Sequence, residues 1–237
     1  MNKVIYRGAD RGNANHGWLQ SYHTFSFANY YNADKIHFGA LRVFNDDSVK
    51  GGMGFGAHPH DNMEIVSIPI SGALQHKDST GRNAIINTND VQIMSAGSGI
   101  MHSEMNASKT TPVDFLQIWV IPELRNITPR YEQKTFDPAA RNNQLQVVVS
   151  PEKDSEGLWI NQQAWFSLGT FDAGKVLNVT TKFKGAGSFI FLFEGEATVA
   201  GETLQTRDAI GLSAFENAEI TFTKPSSVLI IDVPMLN

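Results

Sequence analysis

The chain has 237 residues, of which 41% are hydrophobic and 18% charged, a balance that suits one large or two small globular domains and not a disordered chain. Nineteen Lys and Arg stand against 24 Asp and Glu, a net charge of −5. No basic run occurs, so a surface that tracks nucleic-acid phosphates is not expected. Cysteine is absent, which rules out disulfides, thiolate metal sites and a cysteine nucleophile.

The opening MNKVIYRGADRG has no basic region followed by an apolar stretch, and no apolar run approaches ~18 residues. A cytoplasmic protein with no membrane contact is expected. Residues 13–31, NANHGWLQSYHTFSFANYY, read as aromatic packing around His16 and His23. Short runs rich in Val, Ile, Phe and Thr between turn residues predict strands over 37–44, 63–70, 91–94 and 115–121. His37 is expected at the first strand's start, and His76 in hydrogen bonds beside the turn at 77–81. The glycine-rich 51–56 precedes no helix and reads as a loop leading into a strand. Further strands are predicted over 145–149, 176–183, 188–193, 218–222 and 228–233. Helical periodicity is confined to one turn over 137–142.

The most polar and least periodic connection is TFDPAARNNQ, residues 135–144. It divides the chain into 1–135 and 136–237. The halves rhyme: MEIVSIPISG and FIFLFEG are each an apolar strand ending in a glycine turn, and Asp90 and Asp208 each feed an apolar strand. Many short, evenly spaced strands in two such halves predict an all-β protein of two barrels.

All seven histidines lie at or before position 102, so histidine chemistry belongs to the first half. In Gly54-Phe55-Gly56-Ala57-His58-Pro59-His60, extended backbone points His58 and His60 to one face. In Ala96-Gly97-Ser98-Gly99-Ile100-Met101-His102-Ser103-Glu104, His102 and Glu104 share a face in the same way. Two such pairs on neighbouring strands can surround one ion. Imidazole and carboxylate without thiolate suit Fe, Mn, Co, Ni, Cu or Zn. Glu64 has the same parity as His58 and His60 if the strand stays regular, so either glutamate can complete the set. Met53, Met63, Met94, Met101 and Met105 read as pocket or core filler. No nucleotide-binding glycine motif, HExxH or GxSxG occurs.

These segments resemble the pirin family, a branch of the cupin superfamily. The first cupin motif is matched by Gly54, Gly56, His58, His60, Glu64 and Gly72, and the second by Gly97, Gly99, His102 and Asn106. Pirin-like marks run from Arg11-Gly12, Asn15-His16-Gly17-Trp18 and His23-Thr24-Phe25-Ser26-Phe27 through Leu41-Arg42-Val43 and Asn45-Asp46-Asp47. They continue with His76, Asp78, Ser79 and Gly81, then His102-Ser103-Glu104, Gln117-Ile118-Trp119 and Pro129-Arg130-Tyr131. The resemblance covers residues 1–135 strongly and the remainder as a degenerate cupin.

The resemblance implies a bicupin of two stacked jelly-roll barrels. Residues 1–135 would bind one divalent metal and residues 136–237 none. It also implies Glu104, not Glu64, as the carboxylate ligand beside His58, His60 and His102. The expected ion is Fe(II), with Mn, Co, Ni, Cu or Zn as alternatives. The expected activity is quercetin 2,3-dioxygenase-like: a small aromatic flavonol and O2 meet at the metal, with Glu104 as the catalytic base. Phe44, Phe55, Met63, Met94 and Trp119 are expected to line the substrate pocket. The competing function is a metal- or redox-sensing module that acts through a protein partner without turnover. A cupin sugar isomerase or epimerase is disfavoured, because that branch lacks the pirin marks.

Overall fold

The computed structural model describes residues 1–236, which alternate inward and outward side chains through four β-sheets. The first sheet has seven strands, ordered Arg130–Thr135, Asp90–Ser95, Glu64–Ser71, Val113–Val120, Leu41–Val49, Leu19–His23 and Gly12–Asn15. A four-stranded sheet faces it, ordered Gly54–His60, Ile100–Asn106, Ala73–Asp78 and Asn83–Asn87. The second half repeats the plan. Its seven-stranded sheet is built on Ala186–Glu194 and Ser226–Pro234, and its four-stranded sheet on Asn217–Phe222 and Glu196–Val199. The strands named here pair antiparallel, whereas Leu145–Ser150 pairs parallel with Leu158–Trp159, and Asn142 makes an isolated parallel bridge to Thr170. This is the expected pair of cupin-type barrels.

Three cores follow from this layering. Phe171, Val179, Ile190, Ile220, Phe222 and Ile230 fill the second barrel, where Phe171 and Phe222 stack with centroids 4.2 Å apart. The first barrel is apolar only at its ends: Leu74, Ile86, Val113 and Phe115 at one, Ile65, Met94, Ala96 and Ile100 at the other. Between them lies its polar centre. The largest core is shared. The outer faces of the two seven-stranded sheets meet, bringing Phe25, Phe38, Phe44, Val66 and Ile118 against Phe166, Phe189, Phe191 and Ile231.

The first half also lends a strand to the second. Asn2–Tyr6 pairs in full register with Ala209–Ser213 and forms an edge of the second half's large sheet. Arg7 seals the crossing with a 2.8 Å ion pair to Asp208. At the other end, Asn161 donates its backbone N–H to Glu64 Oε2 at 3.2 Å, and Arg130 donates to the Trp159 carbonyl at 2.8 Å. The predicted turn after residue 136 is a 3-10 helix, Pro138–Arg141, capped by Asp137, which accepts from the Ala139 N–H at 2.9 Å.

Some boundaries differ from expectation. The strand predicted over 37–44 is Leu41–Val49, because residues 38–41 turn. Gly39 has φ +53° there, and a Cβ would lie 2.3 Å from the Pro234 carbonyl oxygen. The strand predicted over 176–183 ends at Thr180. The residues read as a glycine-rich loop are already strand from Gly54 onward.

Candidate metal centre

Register places the candidate ligands. On adjacent antiparallel strands, His102 lies opposite His58 on one side and Asp78 on the other, so their side chains share the barrel's inner face. A bulge follows, where the pairing moves from His102–His58 to Glu104–Phe55. The bulged strand carries one residue more than its partner. Phe55 thereby faces the same interior as His58, although strict alternation from His58 would turn it outward.

Three imidazoles converge. Ring centroids are 4.8 Å apart for His58 and His60, 4.5 Å for His58 and His102, and 4.8 Å for His60 and His102. His58 Nδ1–H donates to its own strand's Gly56 carbonyl at 2.7 Å. That fixes the tautomer and leaves the Nε2 lone pair facing His102 Nε2 at 3.0 Å. His60 Nε2 is buried with no hydrogen-bond partner among the described residues. Burial and its histidine neighbours hold the pKa of His60 down to about 4 and that of His102 lower still. Clustered, neutral imidazole nitrogens with an orphaned lone pair are the donor set that a divalent cation satisfies. The residues fit the metal that the family resemblance implies.

Glu104 sits one step deeper. Its Oε1 accepts from the Ser67 hydroxyl at 3.1 Å and its Oε2 from the Gln117 amide at 2.7 Å. Burial pushes its carboxyl pKa up to about 7, against the lowering effect of those two hydrogen bonds. Ligand atoms of His58, His60 and His102 fall within 4.8 Å of one another, and so, separately, do those of His76, His102 and Glu104. His102 is common to both groups.

Glu64, the alternative left open by parity, is elsewhere. It lies on the inter-barrel face, accepting from Ser95 Oγ at 2.8 Å and from Asn161 N–H at 3.2 Å. The bend at residues 61–63, where Asn62 has φ +46°, lies between His60 and Glu64 and breaks the regular alternation on which that alternative depended.

A cavity of about 350 Å³ opens onto His58 and Glu104, within the usual ~300–1,000 Å³ of small-molecule sites. Trp18, Phe27, Phe55, Phe115 and Trp119 supply aromatic walls. Trp119 also meets His60 edge-on at 4.8 Å. Three expected lining residues are not there. Phe44 points out of the barrel, because Asn45 and Asp47 on its strand point in, and it packs 5.0 Å from Phe189 and 4.8 Å from Phe191. Met94 is sealed in the apolar cluster with Ile65 and Ile100, and Met63 packs on the same cluster.

Other residues reach the cavity unannounced. His16 and His23 line it, although His23 also has the expected aromatic neighbours, Phe27 at 5.2 Å and Tyr30 at 6.4 Å. Ser21, Asn45, Asp47 and Gln117 complete a polar wall. Their signal in the sequence is the two-residue spacing of Ser21 with His23 and of Asn45 with Asp47. Asp47 accepts a hydrogen bond from Ser21, and burial raises its pKa to about 7.

The pirin family profile matches residues 6–120, and one described as "Quercetinase C-terminal cupin domain" matches residues 147–233. Quercetin 2,3-dioxygenase of Escherichia coli K12 is 41% identical over 98% of this chain and 99% of its own. A putative quercetin 2,3-dioxygenase of Pseudomonas aeruginosa is 38% identical over 94% of this chain and 95% of its own. Among solved structures, Escherichia coli YhhW superposes with a TM-score of 0.95 at 37% identity, covering 100% of this chain and 99% of that one. The bacterial pirin YhhW in complex with nickel(II) gives 0.94 at 36% identity, covering 99% and 100%.

Proposed function

The chain belongs to the pirin family, and from that premise we propose that it is a metal-dependent dioxygenase that opens a flavonol ring with O2. One observation carries the reading: three imidazoles converge beside an aromatic-walled cavity that His58 and Glu104 line. His58, His60, His102 and Glu104 would hold one divalent ion. Fe(II) is the first choice, and the nickel bound by the Escherichia coli relative makes Ni(II) an equal entrant in any test. Residues 1–135 would then be the metal-binding domain and residues 136–237 a domain without metal, in a cytoplasmic protein.

A bound divalent ion supplies Lewis-acid stabilisation of a substrate oxyanion and electronic contact with O2. The chain's own residues do the rest. The aromatic walls sandwich a flat ring and exclude water. Glu104, whose pKa near 7 suits proton abstraction at neutral pH, takes the proton of the flavonol hydroxyl while Ser67 and Gln117 hold its carboxylate. Asn45 Oδ1 and His23 Nδ1, both buried and unpartnered among the described residues, offer partners to further hydroxyl groups of the ligand.

The test is anaerobic reconstitution of the apo-protein with Fe(II), Mn, Co, Ni or Cu in turn, followed by flavonol and air. Oxygen uptake matched to flavonol loss, abolished in His102→Ala, is expected. Full metal occupancy without uptake for any ion would replace this reading with a sensor that acts through a protein partner.

A further inference from the structure

At the margin of the core shared by the two halves lies a second cavity, of about 190 Å³. It has no lining residue in common with the cavity beside His58. Its walls are apolar: Ile68, Ile70 and Val91 come from the first half, and Leu168, Phe193 and Val228 from the second. Two guanidinium groups also line it, Arg141 from the connection between the halves and Arg207 from a turn of the second barrel. Arg141 is tied to both sides. Its Nη2 donates to Asn89 Oδ1 at 2.9 Å, and its carbonyl accepts from Thr170 Oγ1 at 3.2 Å. Yet its Nε–H is buried without an acceptor, and no carboxylate lies within ion-pair distance of it among the described residues. Burial lowers its pKa accordingly.

We infer that this cavity binds a small monocarboxylate with an apolar body, its carboxylate held by Arg141. A buried N–H without an acceptor is rare and costly, and a bound acceptor relieves that cost. The Nε–H and the neighbouring Nη–H of a guanidinium form a planar fork that matches the two oxygens of a carboxylate. The surrounding charges set the valence. Arg207 is already paired with Asp46 at 3.2 Å. Asp90 is committed, its Oδ1 to Thr135 and its Oδ2 to the Asn87 N–H at 2.8 Å and the Gln133 amide at 3.0 Å. Glu194 lines the cavity but is exposed, so water and salt screen it. One cation is left to be matched, and a phosphate dianion would add a second negative charge near Glu194. Volume sets the size. The cavity is smaller than the ~300–1,000 Å³ of drug-sized sites, so it suits a single ring or a short branched chain and not a flavonol. The inference therefore stands apart from the metal centre and its substrate.

The experiment is calorimetric titration of the full-length protein with benzoate, benzamide, acetate and phosphate, beside NMR of the arginine Nε–H groups in 15N-labelled protein. Benzoate should bind one per chain and shift the Arg141 Nε–H resonance. Benzamide, which lacks the charge, and acetate, which lacks the apolar body, should each bind at least about tenfold more weakly, and phosphate should not compete. Arg141→Met, which keeps the length of the side chain, should weaken benzoate binding about 10–100-fold, and Arg141→Lys, with the charge but no fork, should fall between. His102→Ala should bind benzoate as the wild type does. Benzoate bound no more tightly than benzamide, acetate or phosphate overturns the inference, as does full affinity in a folded Arg141→Met. So does loss of benzoate binding in His102→Ala, which would put the carboxylate on the metal. Should Arg141→Met not fold, an Arg141 Nε–H resonance unmoved at saturating benzoate in the wild type overturns it instead.

Discussion

Burial decides what individual carboxyl groups and imidazoles do here. Glu104 has a folded pKa raised to about 7, while His60 is lowered to about 4, so protons compete with a metal for Glu104 first. Affinity should decline as pH falls through about 7, where the carboxylate is lost, and collapse near 4, where His60 protonates. Metal titrations at stepped pH check this, and Glu104→Gln should remove the upper step only. A single step near 6.5 would contradict it.

Asp232 makes the opposite kind of prediction, about stability. It is buried in the second barrel, accepts from Ser188, and has its pKa raised from 3.8 to about 6 by burial, against the pull of Ser188 and Lys182. With the folded value above the unfolded one, stability is full below about 4 and is lost as pH rises through about 6. At ~1.4 kcal/mol for each pH unit between the two values, the ionised group costs the fold about 3 kcal/mol. Asp232→Asn keeps an acceptor for Ser188. It should be more stable than wild type at pH 8 and no more stable at pH 4, as denaturant titrations will show.

At the scale of strands, the first half's histidines stand where they do because of a bulge and a register, neither of which is written as a motif. Apolar strands were legible: Val147–Val149 and Phe189–Phe193 carry the β-branched and aromatic residues that pleated, buried surfaces favour. Strand Gly54–His60 was not legible throughout, since glycine, histidine and proline carry little strand preference and its first residues read as a loop. The histidine pairs were still legible from two-residue spacing, whereas Glu64 was excluded only by the interrupted alternation. Phe44 misled because its neighbours reverse the face assumed for it. That correction is itself testable. Phe44→Ala should cost ~3–5 kcal/mol through lost contact with Phe189 and Phe191, and leave metal content and flavonol binding intact.

Least legible was the strand that the first half lends to the second. NKVIY looks like any short edge strand, and its partner lies two hundred residues away, so only tertiary pairing assigns it. Deleting residues 1–7 exposes the edge Ala209–Ser213 and removes the Arg7–Asp208 pair. Hydrogen exchange should quicken at Ala209–Ser213 while the strand Ile100–Asn106 keeps its protection.

Across the whole molecule, a metal-competent barrel leans on one that has kept the fold without the ligands. Among the described residues, both groups of converging metal donors lie in the first half. The shared apolar core between the large sheets explains why the second barrel persists. Phe25, Phe38, Phe44, Val66 and Ile118 would face water without it, far more contiguous apolar surface than a soluble monomer tolerates. A chain ending at residue 136 should therefore be poorly soluble, and adding back the second half in trans should rescue it only if Asn2–Tyr6 can still pair.

The account turns on which side chains hold the ion, and elemental analysis of the wild type beside four single variants tests that most directly. One metal per chain is predicted for the wild type and for Glu64→Gln, whose carboxyl serves the barrel junction. Occupancy should be lost in His58→Ala and His102→Ala and sharply reduced in Glu104→Gln. Two tightly held ions per chain, or a Glu64→Gln protein emptied of metal while Glu104→Gln stays full, would contradict it.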